Sequence, residues 1–400
     1  MKRSTLVISL AAVVACGDSE GDDPAVCTIL TRDDVDTGGS LAAGCYLAEE
    51  DLRVSSGTLS LAAGVRIEFA QDVGLSVEMG GALRAAGTVM EPVVLTGVRT
   101  GRGAWQGLRF DNTASGENRL VGALIENGGG SAWDGGSDSQ ACVFLDGDAA
   151  RVELRDSTLR GCAAAGLSVR SGLADIVVAN SAFEDSASPL RVQPNNVKGL
   201  AGDLQFTGND EAFVTLAGDV ILDFAEVVSD NQSWLPQAIP YRAGGRISVE
   251  ADLILQPGVV LEFVSDVGLL IQTDGTLRAE GTPEAPIAFR GAEATPGFWK
   301  GIINRGSFSP QNVLANVSVD SAGSSGWDGA MESRAAIYIA GGDFTRRSSL
   351  TIQSASVRFS GAIGITVTQE SELTGCPNVT FEGNAGADTF VDPQGTSDCS

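Results

Sequence analysis

Histidine is absent from this chain of 400 residues. Without imidazole, a protein cannot assemble a Ser-His-Asp or Cys-His catalytic centre, nor a zinc, copper or haem site with histidine ligands. Lysine is almost absent as well and occurs only as Lys2, Lys198 and Lys300, so few residues could form a Schiff base with a substrate. These two shortages exclude most of the familiar enzyme classes.

Basic charge is scarce overall, because 26 Lys and Arg residues stand against 51 Asp and Glu residues, for a net charge of −25. Nucleic-acid binders need a basic footprint, so this balance excludes nucleic acid as a partner. Glycine, in contrast, is abundant at 51 residues, while 43% of the chain is hydrophobic and 19% is charged. Such a composition predicts a turn-rich all-β protein rather than a disordered chain or a coiled coil.

Long apolar runs are also missing, and the amino terminus holds only a short one. Lys2 and Arg3 precede an apolar stretch over residues 6–14, which is too short to span a bilayer and predicts an export signal. The segment then ends in Val-Val-Ala-Cys at residues 13–16, which resembles the lipobox of bacterial lipoproteins. The resemblance implies a signal peptide over residues 1–15 and acylation of Cys16, for example with palmitate. An ordinary secretory signal with an incidental cysteine is the alternative.

The residues after Cys16 predict where the anchored protein resides. Residues 17–24 read GDSEGDDP, a polar acidic run typical of a flexible tether. Gly17 rather than an aspartate follows the cysteine, which by resemblance to the enterobacterial sorting rule favours the outer membrane. We therefore expect a cell-envelope protein that is anchored to the outer membrane through its lipid and faces the periplasm or the surface.

The remaining cysteines agree with export. Apart from Cys16 there are six, in three neighbouring pairs: Cys27 with Cys45, Cys142 with Cys162, and Cys376 with Cys399. An even number in an exported chain predicts three disulfides in an oxidising compartment. A metal site does not fit the spacing, because the chain has no Cys-x-x-Cys motif and no histidine.

A long repeat is the dominant internal feature. Residues 67–97 align without a gap with residues 261–291, at an offset of 194 (261 − 67), and the same offset pairs Trp105 with Trp299. Further along the chain the offset grows to 198, as in Gly166 and Gly364 (364 − 166), so the second copy contains about four extra residues near positions 344–348. A repeat of this size predicts a duplicated solenoid or a tandem pair of domains.

Within each copy, pairs of apolar residues recur every eight residues. In the second copy these pairs are Leu253/Leu255, Leu261/Phe263, Leu269/Ile271 and Leu277/Ala279. Each pair is typical of a short strand with one face towards an interior, and glycines such as Gly258 and Gly268 lie between the pairs, where the chain turns. Three strands and their turns make a coil of about 24 residues, which is the size of one coil of a right-handed parallel β-helix.

Several short segments of the second copy follow one another in a recognisable order. They are Tyr241, Pro-Gly at residues 257–258, Leu-Arg-Ala-Glu-Gly-Thr at 277–282, Pro-Ile-Ala-Phe at 286–289 and Trp-Lys-Gly-Ile at 299–302. With these segments the chain resembles a known family, the exported right-handed parallel β-helix repeat proteins, which are distantly similar in fold to pectate lyases. The resemblance covers the chain from Tyr46 to the carboxyl end. It implies the fold and leaves the function open, because β-helices host lyases, hydrolases, adhesins and structural proteins.

The strongest local motif is a Gly/Ser-rich loop over residues 126–140, with a twin over residues 320–334. The candidate residues are Glu126, Trp133, Asp134 and Asp138 in the first loop and Asp320, Trp327 and Asp328 in the second. On one hypothesis the first three carboxylates bind Ca²⁺, the only cofactor considered, and the tryptophan stacks on a sugar ring. On the other, which ordinary turn chemistry favours, the tryptophan folds back over a coil and the following aspartate caps a turn.

Enzymatic activity stays open as an alternative. Polysaccharide lyases and hydrolases on this fold can work without histidine, through an Arg or Lys base, carboxylate-bound Ca²⁺ or paired aspartates. The sequence contains no polygalacturonase-like Gly-His-Gly or Arg-Ile-Lys motif and no pectate-lyase-like Arg-x-Pro-x-x-Arg motif. No catalytic residue is therefore predicted.

The sequence predicts four regions in an all-β, right-handed parallel β-helix built from two homologous halves. They are the lipoprotein signal peptide (1–15), a lipidated tether with a disulfide-bearing amino-terminal cap (16–45), the first β-helix copy (46–240), and the second copy with a carboxyl-terminal cap (241–400). We expect a non-catalytic envelope lipoprotein whose rigid helix contacts carbohydrate or another envelope protein. A histidine-independent polysaccharide lyase or hydrolase is the alternative function.

Overall fold

The computed structural model describes residues 27–217, 226–341, 347–368 and 370–398. The predicted signal peptide, Cys16, most of the tether and Cys399 lie outside the described residues. Most of the predicted insertion near residues 344–348 lies outside them as well.

The described chain consists almost entirely of short strands, numbered here in chain order. The first part contains β1 (Thr28–Ile29), β2 (Gly39–Leu41), β3 (Gly44–Ala48), β4 (Leu52–Val54), β5 (Gly57–Ala62), β6 (Val65–Phe69), β7 (Gly74–Val77), β8 (Gly81–Ala86), β9 (Val93–Gly97), β10 (Gly107–Asp111), β11 (Arg119–Val121), β12 (Ala123–Glu126), β13 (Ala141–Asp146), β14 (Arg151–Arg155), β15 (Thr158–Arg160), β16 (Ala165–Val169), β17 (Asp175–Ala179), β18 (Ala182–Glu184), β19 (Ser188–Val192), β20 (Gln205–Thr207) and β21 (Val214–Leu216).

The second part contains β22 (Glu226–Val228), β23 (Gln232–Trp234), β24 (Tyr241–Ala243), β25 (Ile247–Val249), β26 (Asp252–Leu255), β27 (Val260–Phe263), β28 (Gly268–Ile271), β29 (Thr276–Glu280), β30 (Ile287–Gly291), β31 (Gly301–Arg305), β32 (Val313–Asp320), β33 (Ala335–Ala340), β34 (Ser348–Arg358), β35 (Ile363–Val367), β36 (Ser371–Gly375), β37 (Thr380–Glu382), β38 (Thr389–Val391) and β39 (Thr396–Ser397). The described helices are α1 (Arg32–Val35) and three 3-10 helices, Ser137–Ser139, Pro194–Gly199 and Met331–Ser333. No described helix has the length and apolar character needed to cross a membrane.

All strand pairings are parallel, and they assemble five sheets. Sheet I contains β1, β3, β6, β9, β12, β15, β18 and β20, and sheet II contains β2, β5, β8, β11, β14 and β17. Sheet III contains β4, β7, β10, β13, β16, β19, β21, β24, β27, β30, the second halves of β32 and β34, and β37. Sheet IV contains β22, β25, β28, β31, β33, β35 and β38, and sheet V contains β23, β26, β29, the first halves of β32 and β34, β36 and β39. The protein is therefore an all-β parallel β-helix, as predicted.

The interior is built from the alternating apolar residues of these strands. Ile67 and Phe69 of β6 and Leu261 and Phe263 of β27 are fully buried. Because side chains alternate between the two faces of a strand, every second residue of a coil points inwards and joins one continuous core.

Coil length follows the predicted spacing where no loop intervenes. Leu253 pairs with Leu277 on the next coil, 24 residues further on (277 − 253). Leu108 pairs with Val143, 35 residues further on (143 − 108), because the loop after Glu126 is inserted in that coil. The extra residues leave the helical path and lie against the outside of sheet III.

The sheets change partners where the two sequence repeats meet. Strand β19 of sheet III pairs with β21, β21 pairs with β24, and β24 pairs with β27. In the sequence repeat, Leu261 of β27 corresponds to Ile67 of β6, yet β6 belongs to sheet I. Strands that are equivalent in sequence therefore lie on different faces of the helix in the two repeats.

Two of the three predicted disulfides are present. Cys27 pairs with Cys45, and Cys142 pairs with Cys162 at a Cα–Cα distance of 5.6 Å. The first bond links β3 to the segment that contains α1, where Leu30 and Val35 are buried over the first coil. Of the third predicted pair, Cys376 with Cys399, the second cysteine lies outside the described residues.

Candidate functional site

The loop predicted as the best local candidate folds across the outside of sheet III. After β12, the chain passes through residues 127–136 and then forms the 3-10 helix Ser137–Ser139 before β13. The buried hydroxyl of Ser139 closes the turn, because it accepts a hydrogen bond from the backbone N–H of Trp133 at 3.0 Å and donates one to the carbonyl of Gly136 at 2.7 Å. This closure holds Trp133 against the sheet.

Trp133 lies on the outer surface of the coil rather than standing free. It packs against Ala141, Phe144 and Ala165, and the guanidinium of Arg109 lies 5.9 Å from its ring centre. A Cβ atom at Gly74 would come within 2.5 Å of the ring, so only glycine permits this approach. Trp133 is therefore folded against the outside of the coil.

The carboxylates of the loop converge on one arginine, Arg170, which follows β16. Its guanidinium contacts Asp134 at 2.6 Å, Asp138 at 2.8 Å and Asp146 at 3.0 Å. Asp146 also pairs with Arg109, which pairs in turn with Asp111 at 3.0 Å. The side chain of Arg170 lies over the ring of Phe144 at 4.8 Å. An ionic network thus covers the ends of three neighbouring strands, β10, β13 and β16.

The network shifts the ionisation of its members. Hydrogen bonds from Arg170, from Ser139 and from the backbone of Gly136 hold the pKa of Asp134 well below its ordinary value. Hydrogen bonds to Asp138 and Asp134 raise the pKa of Arg170 even though burial opposes this shift. Both groups are therefore fully charged at neutral pH.

The three carboxylates considered for Ca²⁺ do not come together. Glu126 points to Arg160, with a distance of 2.6 Å between the charged atoms, whereas Asp134 and Asp138 contact Arg170. In the described part of the chain, the only three potential ligand groups within 4.8 Å of one another are Cys27, Cys45 and Glu68. The two thiols of that group are joined in a disulfide, so they offer no thiolate to a metal.

The second loop has the same construction with different partners. Ser333 closes the turn at Trp327 as Ser139 does at Trp133, with distances of 3.0 and 2.7 Å. Trp327 lies 5.1 Å from Lys300, and a Cβ atom at Gly268 would come within 2.7 Å of its ring.

The two aspartates of the second loop are engaged separately. Asp320 pairs with Arg358 through two hydrogen bonds of 2.7 and 2.9 Å. Asp328 accepts a hydrogen bond of 2.8 Å from the hydroxyl of Tyr338. Burial alone would raise the pKa of Asp328, but the hydrogen bonds from Tyr338 and Ser333 outweigh burial and lower it.

The tryptophans that precede glycine in each repeat belong to the core. Trp105 and Trp299 are fully buried and stack on Phe69 and Phe263 with ring centres 4.4 and 4.3 Å apart. Each indole N–H donates to a backbone carbonyl, that of Glu126 or of Asp320. They therefore support the base of the two loops from inside and do not face a ligand.

Sequence reasoning missed the central residues of the ionic network, Asp146 and Arg170. Their counterparts in the second repeat are Ala340 and Thr368, so the charges are present in one copy only. That asymmetry was the available signal. The repeat draws attention to residues that both copies share, such as the two Trp-Asp-Gly motifs, and not to charges that only one copy contains.

A comparison with protein-family models, curated proteins and solved structures gives no match. The function is therefore argued from the geometry of this chain.

Proposed function

We propose that the protein is a non-catalytic lipoprotein of the cell envelope that presents its rigid β-helix for binding or structural contact. The observation that carries this proposal is a ladder of alternating charges along the outside of sheet III. Its members, on six successive coils in parallel register, are Arg242, Glu262, Arg290, Asp320, Arg358 and Glu382.

Neighbouring members of this ladder form ion pairs. Glu262 contacts Arg242 at 2.7 Å and Arg290 at 2.8 Å, and Arg358 contacts Asp320 at 2.7 Å. Charges that are paired in this way link neighbouring coils through charge-assisted hydrogen bonds. The pairing therefore favours a scaffold with a persistent polar surface.

The anchoring part of the proposal rests on the sequence around Cys16, whose acyl chains would insert into the outer membrane. The variant Cys16→Ser is expected to move the protein from the membrane fraction to the soluble fraction. Cys27→Ser is a suitable control, since it removes another amino-terminal cysteine and should leave the membrane fraction unchanged. If Cys16→Ser stays with the membrane as the natural chain does, the anchor is rejected.

The contact surface is expected to recognise carbohydrate or another envelope protein. Binding of the chain that begins after Cys16 to a glycan array tests the first of these directly. Saturable binding to a defined glycan would identify the ligand class. No binding across the array, together with normal folding, would restrict the role to structural contact.

A polysaccharide lyase or hydrolase is the second candidate, and one observation favours it. Charged residues from neighbouring coils gather around Arg170 in the first repeat alone, which is the distribution that an active site would show. Most of these charges are paired, and acidic groups outnumber basic ones, so an acidic polysaccharide would be repelled. We therefore rank this function second.

Enzymatic assays separate the two candidates. The chain is incubated with acidic and with neutral polysaccharides, and both the ultraviolet absorbance of unsaturated products and the release of reducing ends are followed. The scaffold proposal predicts no turnover with either class. Turnover that Arg170→Gln abolishes, without loss of folding, would establish the enzyme instead.

A further inference from the structure

A pocket of about 460 Å³ lies where sheet III approaches the first strand of sheet IV. Its walls are the carboxyl ends of β13, β16 and β19 with the residues that follow them, together with the first residue of β22. The lining side chains that matter for binding are Asp146, Asp148, Arg170, Ser171, Gln193 and Glu226. The volume suits a small ligand or one functional group of a larger ligand.

The pocket is acidic, since three carboxyl side chains and one guanidinium line it. The guanidinium, that of Arg170, is already shared by Asp134, Asp138 and Asp146. Asp148 accepts a hydrogen bond of 2.6 Å from the hydroxyl of Ser171, and no described cation forms an ion pair with it. The oxygen atoms of the pocket that can still accept hydrogen bonds from a ligand are therefore mainly those of Asp148 and Glu226.

Glu226 adds a half-buried carboxyl group to the pocket, and Gln193 forms part of the wall. Burial raises the pKa of Glu226 to about 7, and no neighbouring cation offsets this effect. The side-chain amide of Gln193 donates to the carbonyl of Arg170 at 3.1 Å, which fixes its orientation. The carboxyl groups of Asp148 and Glu226 are thus the acceptors of the pocket that form no ion pair with a described cation.

We propose that this pocket binds an ammonium group, held between the carboxylates of Asp148 and Glu226. An ammonium supplies three hydrogen-bond donors and one positive charge, which complement acceptors that are otherwise unpaired. A metal ion fits less well, because the described residues do not bring three of these carboxylates within 4.8 Å of one another. Anionic ligands such as uronates are repelled.

This inference goes beyond the proposed scaffold role, because it names a ligand chemistry and does not depend on the lipid anchor. A polyamine, a lysine side chain of a partner and an amino sugar share the same recognition group. The probes are therefore spermidine, Nα-acetyl-lysine amide and a glucosamine trimer, and the N-acetylglucosamine trimer serves as the neutral counterpart.

The experiment is a calorimetric titration of the folded chain at low ionic strength and about pH 8, because the raised pKa of Glu226, about 7, leaves this group ionised only above neutral pH. Glu226→Gln and Asp148→Asn are each expected to weaken spermidine binding by about tenfold, which corresponds to the loss of one charged contact. The matched control is Glu284→Gln, which changes the net charge by the same amount at an exposed position away from the pocket. It should leave the affinity within about twofold, since screened surface charges contribute little.

Each outcome decides the proposal. No saturable binding of any of the three amines by the natural chain overturns it. Equal weakening in all three variants means that the acidic surface binds amines without a site, which also overturns it. Binding of the neutral trimer as tightly as the glucosamine trimer rejects the ammonium group as the recognised feature. Because Asp148 is exposed, Asp148→Asn is expected to fold and keeps the test valid even if Glu226→Gln does not fold. Membrane fractionation tests the proposed envelope role separately.

Discussion

Single buried asparagines stabilise the coils, because their side chains form hydrogen bonds with backbone groups inside the helix. The side-chain oxygen of Asn118 accepts a hydrogen bond from the N–H of Leu83 at 3.1 Å, and its amide donates to the hydroxyl of Thr113 at 3.1 Å. Asn312, its counterpart in the repeat, contacts Leu277 and Ser307 in the same way. Both asparagines are almost completely buried.

We predict that Asn118→Ala lowers the free energy of unfolding by about 1–3 kcal/mol, because the N–H of Leu83 is left buried without an acceptor. Urea denaturation measures the change. The control is Gln205→Ala at an exposed position of β20, for which about 0.5 kcal/mol or less is expected. An equal effect of the two substitutions would mean that the buried amide does not stabilise the coil.

The ionisation of Glu226 predicts a dependence of stability on pH. Burial raises its pKa from the ordinary 4.5 to about 7, so the unfolded chain loses this proton at a lower pH than the folded chain. The contribution of Glu226 to stability therefore falls as the pH rises from 4.5 to 7 and is constant above 7. In Glu226→Gln this contribution is absent.

We accordingly predict that the melting temperature of Glu226→Gln, relative to the natural chain, increases between pH 4.5 and pH 7. Thermal unfolding at several pH values tests this, with Glu284→Gln as the control of equal charge. A difference that is constant over this range would show that Glu226 titrates normally.

At the scale of elements, neighbouring strands are joined by side chains as well as by backbone hydrogen bonds. Glu262 on β27 bridges Arg242 on β24 and Arg290 on β30, and only 8% of its side chain is exposed. Its counterpart in the first repeat, Glu68, pairs with Arg66 of the same strand and is 25% exposed. Glu262 thus connects neighbouring coils, whereas Glu68, its equivalent in the first repeat, pairs within its own strand.

We predict that Glu262→Gln destabilises the protein by about 1–3 kcal/mol, because two charge-assisted contacts across coils are lost. Glu68→Gln is the matched control and is expected to cost about 0.5 kcal/mol, since an exposed pair contributes little. Denaturant titration of both variants measures the difference. A larger loss in Glu68→Gln would contradict the role of the bridge.

The disulfide between Cys142 and Cys162 also connects adjacent coils, and both residues are fully buried. Their counterparts in the second repeat are Ala336 and Ser360, so one repeat is cross-linked where the other is not. Replacement of both cysteines by alanine is expected to lower stability by about 2–4 kcal/mol. The thermal unfolding of this variant should respond less to a reducing agent than that of the natural chain. An unchanged melting temperature would exclude a stabilising role for the bond.

In the molecule as a whole, the strands of each coil pair only with those of the coils directly before and after it. The stability of a coil therefore depends on these two neighbours, and a terminal coil has only one of them. The first described coil is covered, because Val35 and Leu30 are buried over it and a disulfide joins Cys27 to Cys45. At the other end of the described chain, no residue of β37, β38 or β39 is buried, and 38% of Val391 is accessible. The two ends therefore differ in protection.

We predict that backbone amides of β37 to β39 exchange with solvent faster than those of β3 and β4. Hydrogen exchange followed by mass spectrometry on the 400-residue chain measures this difference, because local opening is easiest where few neighbours are buried. Central strands such as β13 and β27 should exchange slowest and serve as the internal control. Uniform protection along the chain would mean that the helix opens as one unit.

Much of the architecture followed from the sequence, but the candidate site did not. The apolar pairs at Leu253/Leu255 and Leu261/Phe263 predicted strands and a coil of 24 residues, because a period of two places alternate side chains on one face. The contacts of Arg170 could not be predicted, since its partners Asp134, Asp138 and Asp146 come from two other segments of the chain. Their meeting depends on how one loop folds over a sheet.

The sequence by itself determined that the chain is an all-β parallel β-helix, since the strands follow from the local periodicity. It also paired Cys27 with Cys45 and Cys142 with Cys162, since these cysteines are neighbours along the chain. Only the tertiary structure decided which face each repeat presents. Because β19, β21 and β24 stack in one sheet, the second repeat is shifted by one face, and the Trp133 and Trp327 loops lie on different sheets. Only the tertiary structure also brings Glu226 beside Asp146 and Arg170 in one pocket, since a junction between coils depends on packing over many residues and leaves no periodic signal in the sequence.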